Sequence, residues 1–83
     1  MSNITIIINT PKTKQDGITI TVQQFETVSS AKEKYYTAAG SRVNNQWLYD
    51  GAVLKDSDNF NNIGIEDKDI IEAHPSSKGG NKL

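Results

Sequence analysis

Two glycines stand side by side near the C-terminal end of this chain, Gly79 and Gly80, followed by Asn81-Lys82-Leu83. A diglycine has no side-chain bulk and wide φ/ψ freedom. Such a backbone can enter a narrow channel and leave its carbonyl open to a nucleophile. By composition alone, the same pair set among Pro75, Ser76, Ser77 and Lys78 reads as flexible linker. The remaining residues offer little competing chemistry. The absence of cysteine excludes a disulfide framework, a thiolate zinc site and a thiol nucleophile, and fits a reducing compartment. His74 is the single histidine; with no second histidine or thiol to complete a metal site, it reads as a solvent-exposed structural residue. Glu66, Asp67 and Asp69 form an acidic cluster, ordinarily a solvated turn, that could meet a basic partner. No nucleophile-base-acid set and no phosphate-cradling glycine loop is found, so neither enzymatic activity nor a cofactor is expected.

The chain of 83 residues has room for one small domain and no large internal cavity. Its 9 Lys+Arg and 10 Asp+Glu give a net charge of -1, so no basic field collects nucleic acid or anionic lipid. Met1-Ser2-Asn3 lacks the features of a signal peptide, and no apolar run approaches the roughly 20 residues that span a bilayer. These features predict a soluble intracellular protein, with a domain over residues 1–74 and a flexible tail over 75–83.

The tail must be carried by ordered elements. Ile4 to Asn9 is dominated by β-branched residues and reads as a strand with Ile4, Ile6 and Ile8 on one face. Pro11, Asp16 and Gly17 mark a turn, after which Ile18, Ile20 and Val22 alternate with Thr19 and Thr21 in a second strand. The period changes at Thr27, a capping residue, and Gly40 stands where a left-handed cap would end a helix. Between them Val28, Ala31, Tyr35 and Ala38 form an apolar stripe, leaving Lys32, Glu33 and Lys34 wet. Trp47-Leu48-Tyr49 runs into an Asp50-Gly51 turn, with Trp47 and Tyr49 pointing inward. Val53-Leu54 offers a short strand, Phe60 an apolar plug in a single helical turn, and Asp69 to His74 a last strand with Ile71 and Ala73 inside. The predicted fold class is α+β: a β-grasp, with a mixed sheet of four to five strands and one main helix on one face. The first and last strands are expected to lie parallel.

Ile18 through Gly40 resembles, without a gap, the second strand and helix of small ubiquitin-like modifier (SUMO) proteins, most closely at Lys32-Glu33-Lys34-Tyr35. Trp47 to Gly51 resembles that family's aromatic-Leu-Phe-acid-Gly turn, and Ile63 to Glu72 its Leu-Gly-Met-acid run into the final strand. The likeness extends from Ile4 to Gly80, with about one residue missing just before Trp47. It implies a modifier made as a precursor, trimmed between Gly80 and Asn81 by a maturing and deconjugating protease. The Gly80 carboxylate would then pass through an activating enzyme, a conjugating enzyme and ligases to a substrate lysine. The nucleus and cytoplasm would be its compartments and a monomer its state. The resemblance also implies a groove for short hydrophobic peptides between the second strand and the helix, lined by Ile18, Thr19, Ile20, Thr21, Val22, Ala31, Lys34 and Tyr35.

Several positions depart from the relatives. The basic residues of the SUMO strand are replaced here by Thr21 and Gln23, and only Met1-Ser2-Asn3 precedes the first strand in place of a lysine-bearing arm. Compared with ubiquitin, Leu48 can stand for one residue of the apolar binding patch, but Glu72 and His74 fall at its histidine and valine positions, so ubiquitin receptors are not expected to bind. Lys78 stands where ubiquitin has arginine and SUMO has threonine. The competing expectation is a non-conjugated ubiquitin-like interaction module, part of a larger protein, in which Gly79-Gly80 has no chemical role.

Overall fold

The computed structural model describes residues 3–11 and 15–75. Strand β1 (Asn3–Thr10) buries Ile4, Ile6, Ile8 and Thr10, every second residue, against the interior. It pairs antiparallel with β2 (Gln15–Gln23), matching Ile4 to Val22 and Ile8 to Ile18. β2 therefore begins three residues earlier than the apolar alternation suggests, with Gln15 opposite Thr10 across a register shift.

Helix α1 (Val28–Ala39) starts and ends where capping chemistry predicts. The Thr27 hydroxyl accepts the Ser30 N–H at 3.2 Å, and Gly40, at φ 75°, returns its own N–H to the Tyr36 carbonyl at 2.8 Å. Its buried residues are Val28, Ala31, Lys32 and Tyr35. Two expectations are corrected here. Ala38 is exposed, because the stripe continues from Tyr35 to the partly buried Ala39, one step of four rather than three. Lys32 is buried, not wet: its stem lies in the core boundary, its ammonium sits 6.0 Å from the Trp47 ring centroid, and it meets the exposed carboxylate of Asp56 at 2.7 Å.

β3 (Gln46–Tyr49) and β4 (Ala52–Val53) form a hairpin whose central residues Asp50 and Gly51 both have positive φ, 55° and 83°. That is the turn whose twist matches the flanking strands. Leu54, expected in β4, follows it and drops its side chain into the core. The single turn α2 (Phe60–Ile63) is capped by Asn59 and by Gly64 at φ 83°, and it presents the fully buried Phe60. β5 (Asp69–His74) closes the sheet in the order β2-β1-β5-β3-β4. Its pairing with β1 is parallel, Ile6 opposite Asp69 and Ile8 opposite Ile71, as the β-grasp arrangement requires. The core is centred on Trp47, Tyr35 and Phe60, with the Tyr35 and Trp47 rings edge to face at 5.8 Å.

The contrast between the two phenylalanines tests this packing. Phe60 is fully buried and Phe25 is 67% exposed. Phe60→Ala is expected to cost about 3–5 kcal/mol in urea unfolding and Phe25→Ala less than about 0.5 kcal/mol. Equal losses would contradict the assigned core.

Candidate functional site

The predicted chemistry at Gly79, Gly80 and Asn81 lies outside the described residues. Within them, the predicted peptide groove is where the structure is informative, because β2 is an edge strand whose one sheet partner is β1. Thr5 directs its N–H to Asp67 Oδ1 at 2.8 Å and its carbonyl to the Lys68 N–H, both away from β2. In an antiparallel ladder, facing residues either exchange both bonds or neither. Thr21, which faces Thr5, therefore points its own N–H and carbonyl to the free edge, as do Thr19 and Gln23 by period two.

Three of these outward groups are taken up by the corner leading into α1. Glu26 Oε1 accepts the Gln23 N–H at 3.0 Å, and the Glu26 N–H returns to the Gln23 carbonyl at 3.1 Å. Lys34 Nζ donates both to the Thr21 carbonyl and to Glu26 Oε1, each at 3.0 Å. Ser30 Oγ donates to Glu26 Oε2 at 2.7 Å. The Glu26 side chain is only 11% exposed yet is paired with a cation and saturated with donors. Burial pushes its carboxyl up, but the hydrogen bonds from Gln23, Ser30 and Lys34, with the Lys34 charge, outweigh burial and hold it below its ordinary range. Glu26 and Ser30 escaped the sequence reading, although Glu26, Ser30 and Lys34 recur every four residues, the spacing of one helix face.

The predicted lining is corrected in part. Ile20, Val22, Ala31 and Tyr35 are buried core residues: the first two lie on the β2 face beneath the helix, and the other two on the α1 face turned to the sheet. Ile18 is half-buried, and Thr19, Thr21 and Lys34 are exposed. What this corner offers a ligand is polar side chains and a strand edge rather than an apolar pocket.

The far side of the sheet carries Leu48, half-buried, beside Ile70 and Val53, 52% and 56% exposed. Glu72 stands directly opposite Leu48 and places a charge in that apolar surface. His74 is half-buried rather than fully exposed, its Nε2 3.3 Å from Glu72 Oε1. Two members of the acidic cluster have structural work. Asp67 holds the Thr5 amide, and Asp69 Oδ2 accepts the Tyr49 hydroxyl at 2.6 Å and the Glu66 N–H at 2.9 Å. The hydrogen bond to Asp69 leads the causes that push Tyr49 up to about 12, and the same bond holds the Asp69 carboxyl low. Among the described residues no group of three or more His, Cys, Asp or Glu could hold a metal, and no helix is long and apolar enough to cross a membrane.

Two measurements check this geometry. Glu26 titrates below its ordinary value of 4.5 in the folded protein, so its stabilisation is complete above that pH and is lost as pH falls through the lower folded value. The urea midpoints of the natural chain and Glu26→Gln should differ at neutral pH and converge in acid; a gap that is constant with pH would contradict the assigned network. Ile20→Glu should fail to fold, because it buries an unpaired charge, while Thr19→Glu should unfold like the natural chain within about 0.5 kcal/mol.

The comparisons with known proteins agree with this architecture. The model of the family described as "Ubiquitin family" matches residues 6–78. No curated protein sequence matches the chain. Among solved structures, the C-terminal ubiquitin-like domain of human 2'-5'-oligoadenylate synthetase-like protein is similar at a TM-score of 0.81 and 18% identity, covering 99% of this chain and 93% of that one. The ubiquitin-like domain of Plasmodium falciparum Dsk2 gives 0.79 at 17% identity, covering 90% and 100%. A structure described as "Molecular Mimicry of SUMO promotes DNA repair" gives 0.75 at 17% identity, covering 88% and 91%. At these identities the structures establish a shared fold, and the family model establishes membership: the chain belongs to the ubiquitin family.

Proposed function

We propose that this chain is a SUMO-like protein modifier, trimmed after Gly80 and joined through the Gly80 carboxylate to substrate lysines. The observation that carries the reading is the register of the tail. β5 ends at His74, the family match runs to residue 78, and Gly79-Gly80 follows at once. On this reading the domain itself performs no catalysis. The activating and conjugating enzymes, the ligases and the protease supply it, and the domain supplies a recognisable surface and a side-chain-free acyl terminus. Its compartments would be the nucleus and cytoplasm. Extended hydrophobic peptides would add to the β2 edge as a strand by displacing Lys34 from the Thr21 carbonyl, and would rely on main-chain hydrogen bonds, given that the flanking side chains Thr19 and Thr21 are polar.

A second reading is supported by the neighbours: the Dsk2 and oligoadenylate synthetase-like structures are ubiquitin-like domains of named larger proteins. There the diglycine would be linker and the domain a non-conjugated interaction module.

An N-terminally tagged chain expressed in its own host and run on denaturing, reducing gels beside Gly80→Ala separates the two. The modifier reading expects a ladder of heavier species, lost in Gly80→Ala while the domain stays folded. A ladder that survives the substitution would overturn it, and no ladder in either lane would favour the module.

A further inference from the structure

From Gly17 to Val22, β2 contains no charge and no proline, and every residue after the glycine is β-branched. It is also a free edge of the sheet. An edge of this composition is a template for pairing with another strand, and natural proteins protect such edges with charge, proline, bulges or cover. Here the protection comes from another element. Lys34, on α1, reaches across to the outward Thr21 carbonyl, and Glu26 holds the Lys34 ammonium while also occupying the outward N–H of Gln23.

We propose that the Lys34 ammonium, clasped by Glu26, caps the β2 edge and prevents two copies of this chain from pairing β2 to β2. The partner excluded is a second copy for three reasons. Thr19 and Thr21 present the same alternation of outward donors and acceptors on each copy, so a two-fold antiparallel ladder satisfies both edges at once. The exposed Thr19 and Thr21 side chains would then face their equivalents, a favourable cross-strand pairing. A net charge of -1 gives little general repulsion between copies. With Lys34 in place, the partner's N–H finds the Thr21 carbonyl already occupied, and the two-fold brings two ammonium groups toward one another. The inference stands independently of conjugation, since it concerns the folded domain and not the tail.

The test is sedimentation velocity over a concentration series at neutral pH, with amide hydrogen exchange followed residue by residue. It compares the natural chain with Lys34→Met, Lys34→Gln and Lys34→Arg. Lys34 is half exposed at its side chain (46%), so these substitutions spare the core, and the two neutral variants back each other up if one folds poorly. The natural chain and Lys34→Arg should sediment as monomers at every concentration. The neutral variants should show a sedimentation coefficient that rises with concentration, together with slowed exchange at the Thr19 and Thr21 amides. Folded neutral variants that remain monomeric would overturn the proposal. So would association without protection of those two amides, or self-association of the natural chain.

Discussion

The parallel pairing of β1 with β5 is the constraint on which the rest of the molecule depends. It brings Ile6 to Asn9 alongside Asp69 to Glu72, joining the two ends of the described chain at the centre of the sheet. Parallel neighbours cannot be linked by a tight turn, so everything between β2 and β5 acts as the crossover. That crossover supplies the three bulkiest core residues: Tyr35 from α1, Trp47 from β3 and Phe60 from α2. It is tied down at its edges by polar contacts as well as packing, through Val28 N–H to the Asp58 carbonyl, Ser29 N–H to the Asp56 carbonyl, and Lys32 to the Asp56 carboxylate. β5, the last strand of the described chain, therefore lies between β1 and β3 in the interior of the sheet.

The same topology leaves β2 at an edge with α1 beside it. The chain resolves the resulting polar demand at one carboxylate. Glu26 gathers a backbone amide, a hydroxyl and an ammonium at the point where strand becomes helix, and its neighbour Thr27 caps that helix. The far face of the sheet is treated differently: Leu48, Ile70 and Val53 remain accessible, broken by Glu72 and His74. Two surfaces of unlike character thus flank one core, a polar strand edge and a charge-interrupted apolar face.

Most of the fold was legible in local signals. Thr27 and Gly40 bracket α1, Asp50-Gly51 turns the β3–β4 hairpin, and the alternation through Asp69 to His74 defines β5, because each depends on the chemistry of a few adjacent residues. The candidate groove was legible only as a location. Resemblance places Ile20, Val22, Ala31 and Tyr35 on a binding surface, while strand alternation places Ile20 and Val22 in the core and the helical stripe places Ala31 and Tyr35 there, and the structure follows the periodicities. Lys32 was misplaced because a lysine buries its stem when a distant carboxylate and an aromatic ring receive its head, and no local pattern announces Asp56 and Trp47 as those partners. The Glu26 network depends on which strand edge is free, a property of sheet order rather than of sequence spacing.

The central claim, that Gly80 becomes an acyl group on other proteins, leaves a chemical signature set by its neighbour. Lys78 immediately precedes Gly79-Gly80, so a protease that cuts after lysine but not after arginine would leave a two-residue Gly-Gly remnant on any lysine joined to Gly80. Ubiquitin, with arginine at that position, leaves a longer one. The most direct measurement is therefore mass spectrometry of tagged material purified under denaturing conditions and digested with a lysine-specific protease. The account predicts Gly-Gly-modified lysines on other proteins and a free pool ending at Gly80. A pool that retains Asn81-Lys82-Leu83, with no such remnant on any lysine, would contradict it.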